Sequence, residues 1–312
     1  MCSTNTGSLS QNRPAQAQVK TGWEMDASGQ MNDKPTEGMD RDWSIQPPLP
    51  DFEFAWREDE RYVTRDEVQR FFCSDRLAVL KERICEVGHR LWTREYTDGN
   101  GGNISVRVGH DLVLCSPTLI SKGFMKPEDL CLVDMEGRQK AGARPASSEI
   151  KTHLAIMQAS DALACVHAHP PHANALLICG LVPPTGIMPE PDIFLGEVGL
   201  ASYATPGSPQ NAINVGALAR DHQCIFMENH GVIVWGRHVE DACWKMENVD
   251  SYCRILLLAA TLDAQVTRVD VKSMRDFIGI RRKLGMPDVR EARPDDQLFN
   301  TDGFAGKPFK TL

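Results

Sequence analysis

The sequence predicts a single α/β domain preceded by a loose acidic tail, and three observations support this. A helical period opens the folded part, then gives way to alternating strand patterns with further helices interspersed. No segment repeats. Of the 312 residues, 42% are hydrophobic and 24% charged, enough apolar material for one sizeable core.

Composition also removes several function classes. With 34 basic against 42 acidic residues the formal charge is -8, so no nucleic-acid partner is expected. The longest apolar runs, Ala173–Val182 and Ile255–Leu262, are too short to cross a bilayer, so no membrane partner is expected either. Met1–Gln18 lacks the apolar stretch of a signal peptide, and the ten cysteines are scattered with no CxxC pair. Reduced, mostly buried thiols and a cytoplasmic location follow as expectations.

Residues 1–62 are rich in Ser, Thr, Gln, Asn, Gly, Pro and Asp, and their eleven acidic against six basic residues hold more than half of the net charge. Such a segment buries too little to offset its ordering entropy and is expected to be disordered. Its aromatic end, Trp43, Phe52, Phe54 and Trp56, is suited to docking on the domain or on a neighbouring subunit.

The domain, residues 63–312, opens at Thr64-Arg-Asp-Glu67, which has capping-box spacing. Val68, Phe71, Leu77, Leu80, Ile84, Val87 and Leu91 follow at helical intervals, with a break expected near Ser74. Asn103–Val108 and Leu112–Ser116 alternate as strands around Gly109-His110-Asp111, and Leu130–Met135 ends at a Glu136-Gly137 turn. A short helix carries Ile150, Leu154 and Met157, and Ala164–His169 reads as a strand closed by Pro170-Pro171. Cys224–Glu228 and Val232–Trp235 are two more strands. A helix from about Val239 to Leu262 has Val239, Ala242, Met246, Val249, Cys253 and Leu256 on one stripe. Beyond it, Met274–Leu284 forms a helix, and the remainder is polar and turn-rich.

Chemistry concentrates in a few places. In Cys165-Val-His167-Ala-His169, two histidines at i and i+2 of a strand share a face, so both imidazoles can reach one metal ion. Taken alone, the pair is equally compatible with two surface histidines at a strand end. His172, past the prolines, is out of phase. A catalytic zinc-type site needs a third protein ligand. Of the nine histidines, His230 in Met227-Glu-Asn-His230-Gly231 is best placed, where a strand meets glycine. His89, His153, His222 and His238 read as ordinary surface or satisfied residues.

Ala146-Ser147-Ser148-Glu149-Ile150 reads first as a helix start, with Ser147 or Ser148 capping and Glu149 favoured by the dipole. Hydroxyls and free N–H groups at such a start also suit a phosphate or carboxylate, with Glu149 beside it as an acid or base. Asp98-Gly-Asn-Gly-Gly102-Asn103 can bring backbone close to a ligand but lacks Rossmann or Walker spacing. Ser116-Pro117-Thr118-Leu-Ile-Ser121-Lys122-Gly123 adds three hydroxyls and a lysine that suits an anion.

Taken in order, GGN-I-S, S-P-T, S-S-E, H-x-H-P and N-H-G resemble the class II aldolase/adducin family over about residues 75–265. The resemblance implies an α/β/α domain with a central, largely antiparallel sheet, assembled as a homotetramer. It implies that His167, His169 and His230 hold a divalent metal, usually Zn2+, with Fe2+, Mn2+ or Co2+ as alternatives. Glu149 matches the catalytic glutamate, and Asn103, Thr118, Ser147 and Ser148 match positions that bind a substrate phosphate. The implied activity is that of a carbon–carbon lyase of aldolase type in carbohydrate metabolism. It would act on a small keto-sugar or keto-acid, phosphorylated in the sugar-phosphate branch, through a metal-stabilised enediolate. Decarboxylation of a 3-keto acid reaches the same enediolate and ranks just behind. An iron-dependent oxygenase and a non-catalytic adducin-like module follow.

Two departures bear on the substrate. Leu119 stands where the sugar-phosphate aldolases place a glycine. Val182–Gly196 contains no tyrosine to serve as the aldolase proton donor, offering Glu190 and Asp192 instead, while Tyr203 lies later.

Overall fold

A computed structural model describes residues 54–311 except 58, 263 and 287. Trp43 and Phe52, with the rest of residues 1–53, lie outside the described residues. Phe54 and Trp56 do meet the domain: Phe54 packs edge-on to Phe71 with centroids 6.4 Å apart, and Trp56 lies under the Arg107 guanidinium.

Thr64 caps the first helix, α1 (Arg65–Phe72), through a complete capping box with Glu67. The expected break falls at Ser74, whose hydroxyl caps α2 (Asp75–Thr93). The chain then forms β1 (Asn103–Arg107), β2 (Leu112–Cys115), β3 (Cys131–Asp134), β4 (Gln139–Ala141), α3 (Ile150–Ala159) and β5 (Ala164–Ala168). Next come α4 (Pro171–Leu177), a π turn at Pro191–Leu195, β6 (Gly199–Ala201), α5 (Pro209–Leu218), β7 (Cys224–Met227) and β8 (Gly231–Gly236). α6 (Val239–Ala260) and α7 (Val271–Lys283) follow. β4, α4, β6 and α5 lie beyond the elements that periodicity predicts. Two are three-residue strands, too short to carry a period, and α4 has only seven residues.

Eight strands make one mixed sheet in the order β4-β3-β2-β1-β5-β8-β7-β6. Every pairing is antiparallel except β6 with β7. Helices cover both faces, giving the expected α/β/α sandwich. Alternate strand residues serve opposite cores. Ile104, Val106, Val166 and Val234 pack with Leu77, Ile84 and Leu91 of α2 and with Met246 and Val249 of α6. Val113, Val133, Ile225 and Ile233 pack with Leu154 and Met157 of α3 and Val215 of α5.

Neither serine caps α3. Glu149 itself holds the N-cap position and makes no side-chain cap, while the Ser147 hydroxyl accepts the Glu149 N–H at 3.3 Å. The Glu149 carboxylate is directed elsewhere, and that diversion places it in the site.

Candidate metal and substrate site

The site lies where β1, β5 and β8 run side by side on the face covered by α3. Register sets Asn103 of β1 opposite His167 of β5, and His167 opposite Ile233 of β8. The His167 Nδ1–H donates to the Val232 carbonyl at 2.9 Å, which fixes the ring and leaves Nε2 without a hydrogen bond. His169 is one residue past β5. Its backbone N–H donates to the Tyr96 carbonyl, its Nδ1 lies 3.9 Å from the Asp98 carboxylate, and its Nε2 also lacks a partner. His230 sits in the β7–β8 turn, where Asn229 takes a positive φ of 52° and the His230 N–H donates to Met227.

These three rings converge. Their centroids are 4.7 to 5.4 Å apart, and one nitrogen of each lies within 4.8 Å of the others. Two glycines permit this approach. A Cβ at Gly231 would stand 2.5 Å from His169 Cδ2, and one at Gly102, where φ is +70°, would stand 2.8 Å from the His167 carbonyl. Glu149 spans the cluster: Oε2 is 3.4 Å from His167 Nε2 and Oε1 is 3.4 Å from His230 Nε2. Asn103 Nδ2 donates to Oε2 at 2.9 Å, while its own buried Oδ1 is unpartnered.

Electrostatics suit a metal. Burial, reinforced by the neighbouring rings, holds His167 well below the ordinary histidine range and His230 at about 4. His169 is lowered by burial, against the pull of Asp98. All three are therefore neutral near pH 7, as ligation requires. Three neutral imidazole nitrogens facing one point, each buried without a hydrogen-bond partner or beside a carboxylate, fit a divalent cation with an open coordination position. The Val232 carbonyl behind His167 is an outer group of the kind that orients such a ligand, whereas the exposed Asp98 carboxylate lies 3.9 Å from His169 Nδ1, beyond hydrogen-bond distance. Burial raises the Glu149 carboxyl above its usual value, opposed by the Asn103 hydrogen bond and by Lys122.

The anion-binding candidates fall together only in part. Thr118 donates its N–H to Pro145, and Ser147 donates its own to Ser116, so these two loops are zipped beside Glu149. Ser147 is buried, whereas Ser148 is exposed. Leu119 keeps a left-handed backbone, φ 54°, despite its side chain, which is 78% exposed.

Several other residues are engaged away from the three converging rings. His172 is held by Asp250, which also accepts the N–H groups of His172 and Ala173 at the start of α4. His153 is fully buried, with Nδ1 2.7 Å from the Ser105 hydroxyl. Asp192 is buried and accepts from Gly186 and Arg290, so it is committed to structure, and Glu190 is exposed. Sequence reasoning did not assign a site role to Asp98, and it read Lys122 only as a lysine suited to an anion, not as a buried one. Asp98 carries no spacing signal; Lys122 is only a lysine in a hydroxyl-rich loop until its burial is known.

Comparison with known proteins finds a family and several similar chains. The family described as Class II Aldolase and Adducin N-terminal domain matches residues 82–257, more than half of the chain. A 3-oxo-tetronate 4-phosphate decarboxylase from Cupriavidus necator is 29% identical over 214 residues, spanning 67% of this chain and 91% of that protein. An L-fuculose phosphate aldolase from Methanococcus maripaludis is 32% identical over 174 residues, spanning 55% of this chain and 91% of that one. A solved L-fuculose 1-phosphate aldolase superposes with a TM-score of 0.59 at 25% identity, covering 69% of this chain and 98% of its own.

Proposed function

This chain belongs to the class II aldolase and adducin family, and from that premise we propose that it is a divalent-metal-dependent carbon–carbon lyase acting on a small keto-sugar or keto-acid. The observation that carries the reading is the trio of converging imidazoles spanned by the Glu149 carboxylate. His167, His169 and His230 are the ligands in this reading, with zinc the expected ion. A divalent cation held there supplies Lewis-acid stabilisation of negative charge developing on a substrate carbonyl oxygen.

The remaining tasks fall to side chains. Glu149 moves the proton on the carbon next to the carbonyl, and its raised pKa brings it closer to the range useful for both giving and taking a proton. Asn103 orients that carboxylate through Nδ2. Asn103 Oδ1 is an acceptor, so it suits a substrate hydroxyl; the Thr118, Ser147 and Ser148 hydroxyls suit the anionic end. The reading further includes a homotetramer, a cytoplasmic location and an appended N-terminal tail. Among the described residues no helix is long and apolar enough to cross a membrane.

Decarboxylation of a 3-keto acid is the second reading, and one observation favours it. Aldol cleavage moves two protons: one leaves the substrate hydroxyl as the carbon–carbon bond breaks, and one arrives on the released carbon. Loss of carbon dioxide needs only the second. Glu149 is the carboxyl that faces the inner imidazole nitrogens, Asp98 lies on the outer side of His169, and Asp192 is bound by Arg290.

Metal analysis of protein purified without chelator or affinity-tag metal tests the proposal. About one zinc per chain is expected, lost in His167→Ala and His169→Ala with the folded oligomer retained. Full metal content in His169→Ala overturns the ligand set. Glu149→Gln keeps its metal and loses about 10²-fold or more in rate. Carbon dioxide release from 3-oxo-tetronate 4-phosphate would select the decarboxylase reading, and aldehyde formation from L-fuculose 1-phosphate the aldolase reading.

A further inference from the structure

Lys122 is 1% exposed, lies in the short turn Lys122–Phe124 packed on α2, and carries a charged group on a flexible stem. Its Nζ donates to the Ile120 carbonyl at 2.8 Å and to the Asn100 carbonyl at 3.2 Å. Those two carbonyls belong to the two loops that border the site, the one ending in Thr118–Gly123 and the glycine-rich one before Asn103. The ammonium therefore ties the loops together. An ammonium has three donors, and the two carbonyls use two of them.

Among the described residues no carboxylate lies within ion-pairing distance of Lys122, whereas buried charges are ordinarily paired. A neutral side chain of similar length would fill the same space without the desolvation cost. Burial pushes Lys122 down to about 8, so it remains mostly cationic at neutral pH. One of the carbonyls it binds, Asn100, adjoins Gly101, where an added Cβ would stand 3.1 Å from His169 Nδ1, so the ammonium sits against the loop that borders the centre of the site. Rigid backing holds it there. A Cβ at Gly88 of α2 would stand 2.6 Å from the Lys122 carbonyl oxygen, and one at Gly123 would stand 2.5 Å from the Trp92 ring.

We propose that Lys122 is a positioning residue for substrate specificity: a fixed, buried positive charge behind the two substrate loops that makes this site select an oxyanion-bearing substrate, whether its anion is a phosphate or a carboxylate. The proposal deepens the lyase reading and rests on it for the location of the site. The charge acts through the loops and through the field across the site, without leaving the interior. Leu119 gives that role context, because a side chain now occupies the place where a glycine would leave the backbone open to an anion.

Calorimetric titration with inorganic phosphate and, separately, with malonate tests this on the full chain, both metal-free and zinc-loaded. Lys122→Gln keeps an amide able to reach carbonyl oxygens but removes the charge; Lys122→Met removes both. The wild type is expected to bind at least one of the two anions, and both variants to bind it about tenfold or more weakly with unchanged zinc content. Weakening of phosphate alone identifies a phosphate-bearing substrate; weakening of malonate alone identifies a carboxylate. Wild-type affinity in Lys122→Gln overturns the proposal, as does a wild type that binds neither anion. If Lys122→Met fails to fold, Lys122→Gln decides the question. Failure of zinc to bind would instead remove the metal-lyase reading, and the metal-free titration would still report on Lys122.

Discussion

At the residue scale, Glu149 and Leu119 each depart from local preference. Glu149 occupies a helix N-cap without capping, because its carboxylate is held by Asn103 and faces two imidazoles. Leu119 holds a left-handed backbone that costs an L-residue roughly 1–2 kcal/mol. Its side chain is mostly exposed, so burial within the chain returns little of that cost. Leu119→Gly is therefore expected to stabilise the protein by about 1 kcal/mol in denaturant unfolding, the strain relief exceeding the extra backbone entropy of glycine. A lower unfolding midpoint would show that Leu119 is engaged in packing, as at a subunit contact.

The β7–β8 turn and the end of β5 make the site at the element scale. His167 and His169 share a face because a strand alternates sides, and that much follows from spacing. Their meeting with His230 depends on Gly231, since any side chain there would displace the His169 ring or the Ala168 carbonyl 2.7 Å away. Gly231→Ala is expected to weaken zinc binding by about tenfold or more while the sheet remains folded. Competition with a chelator of known affinity measures this, and unchanged affinity would mean that the turn shifts freely. The loop carrying Lys122 shows the opposite case. Nothing in Ser121-Lys122-Gly123 announces a buried cation, because the burial comes from α2, through glycines that admit close contact.

For the whole molecule, the buried imidazoles set the acid limit of stability. His153 is pushed down to about 3 and His230 to about 4, with His167 and His169 also lowered, in each case chiefly by burial. A histidine depressed in the folded state takes up a proton more readily once unfolded. Its contribution is fully present above the ordinary value near 6.5 and is lost as pH falls toward the folded value. The metal-free protein is thus expected to lose melting temperature progressively from about pH 6.5 to 4. The raised Glu149 and Asp192 carboxyls act in the opposite sense, but as two groups against four. A flat melting profile across that window would contradict the buried, neutral histidines. Elsewhere in the fold, Arg290 is buried between Asp192 and Asp288, and Arg281 joins through Asp288 at 3.1 Å. That network fastens the region after α7 to the Pro191–Leu195 turn.

The sequence by itself determined the two-faced strands, the long amphipathic helices α2 and α6, the cap at Thr64, the break near Ser74, and the pairing of His167 with His169. Each is a matter of phase along a short stretch, which periodicity and hydrogen-bonding preference encode locally. Family resemblance across separated motifs then nominated His230, Glu149 and Asn103 together. Tertiary structure alone decided that the Glu149 carboxylate spans two rings, that Asp192 is spent on Arg290, that Ser148 faces solvent and that Lys122 is buried without a carboxylate. Those facts depend on the lateral register of β1, β5 and β8 and on which helix covers which loop. Contacts between residues tens of positions apart set both, and no local window of sequence contains them.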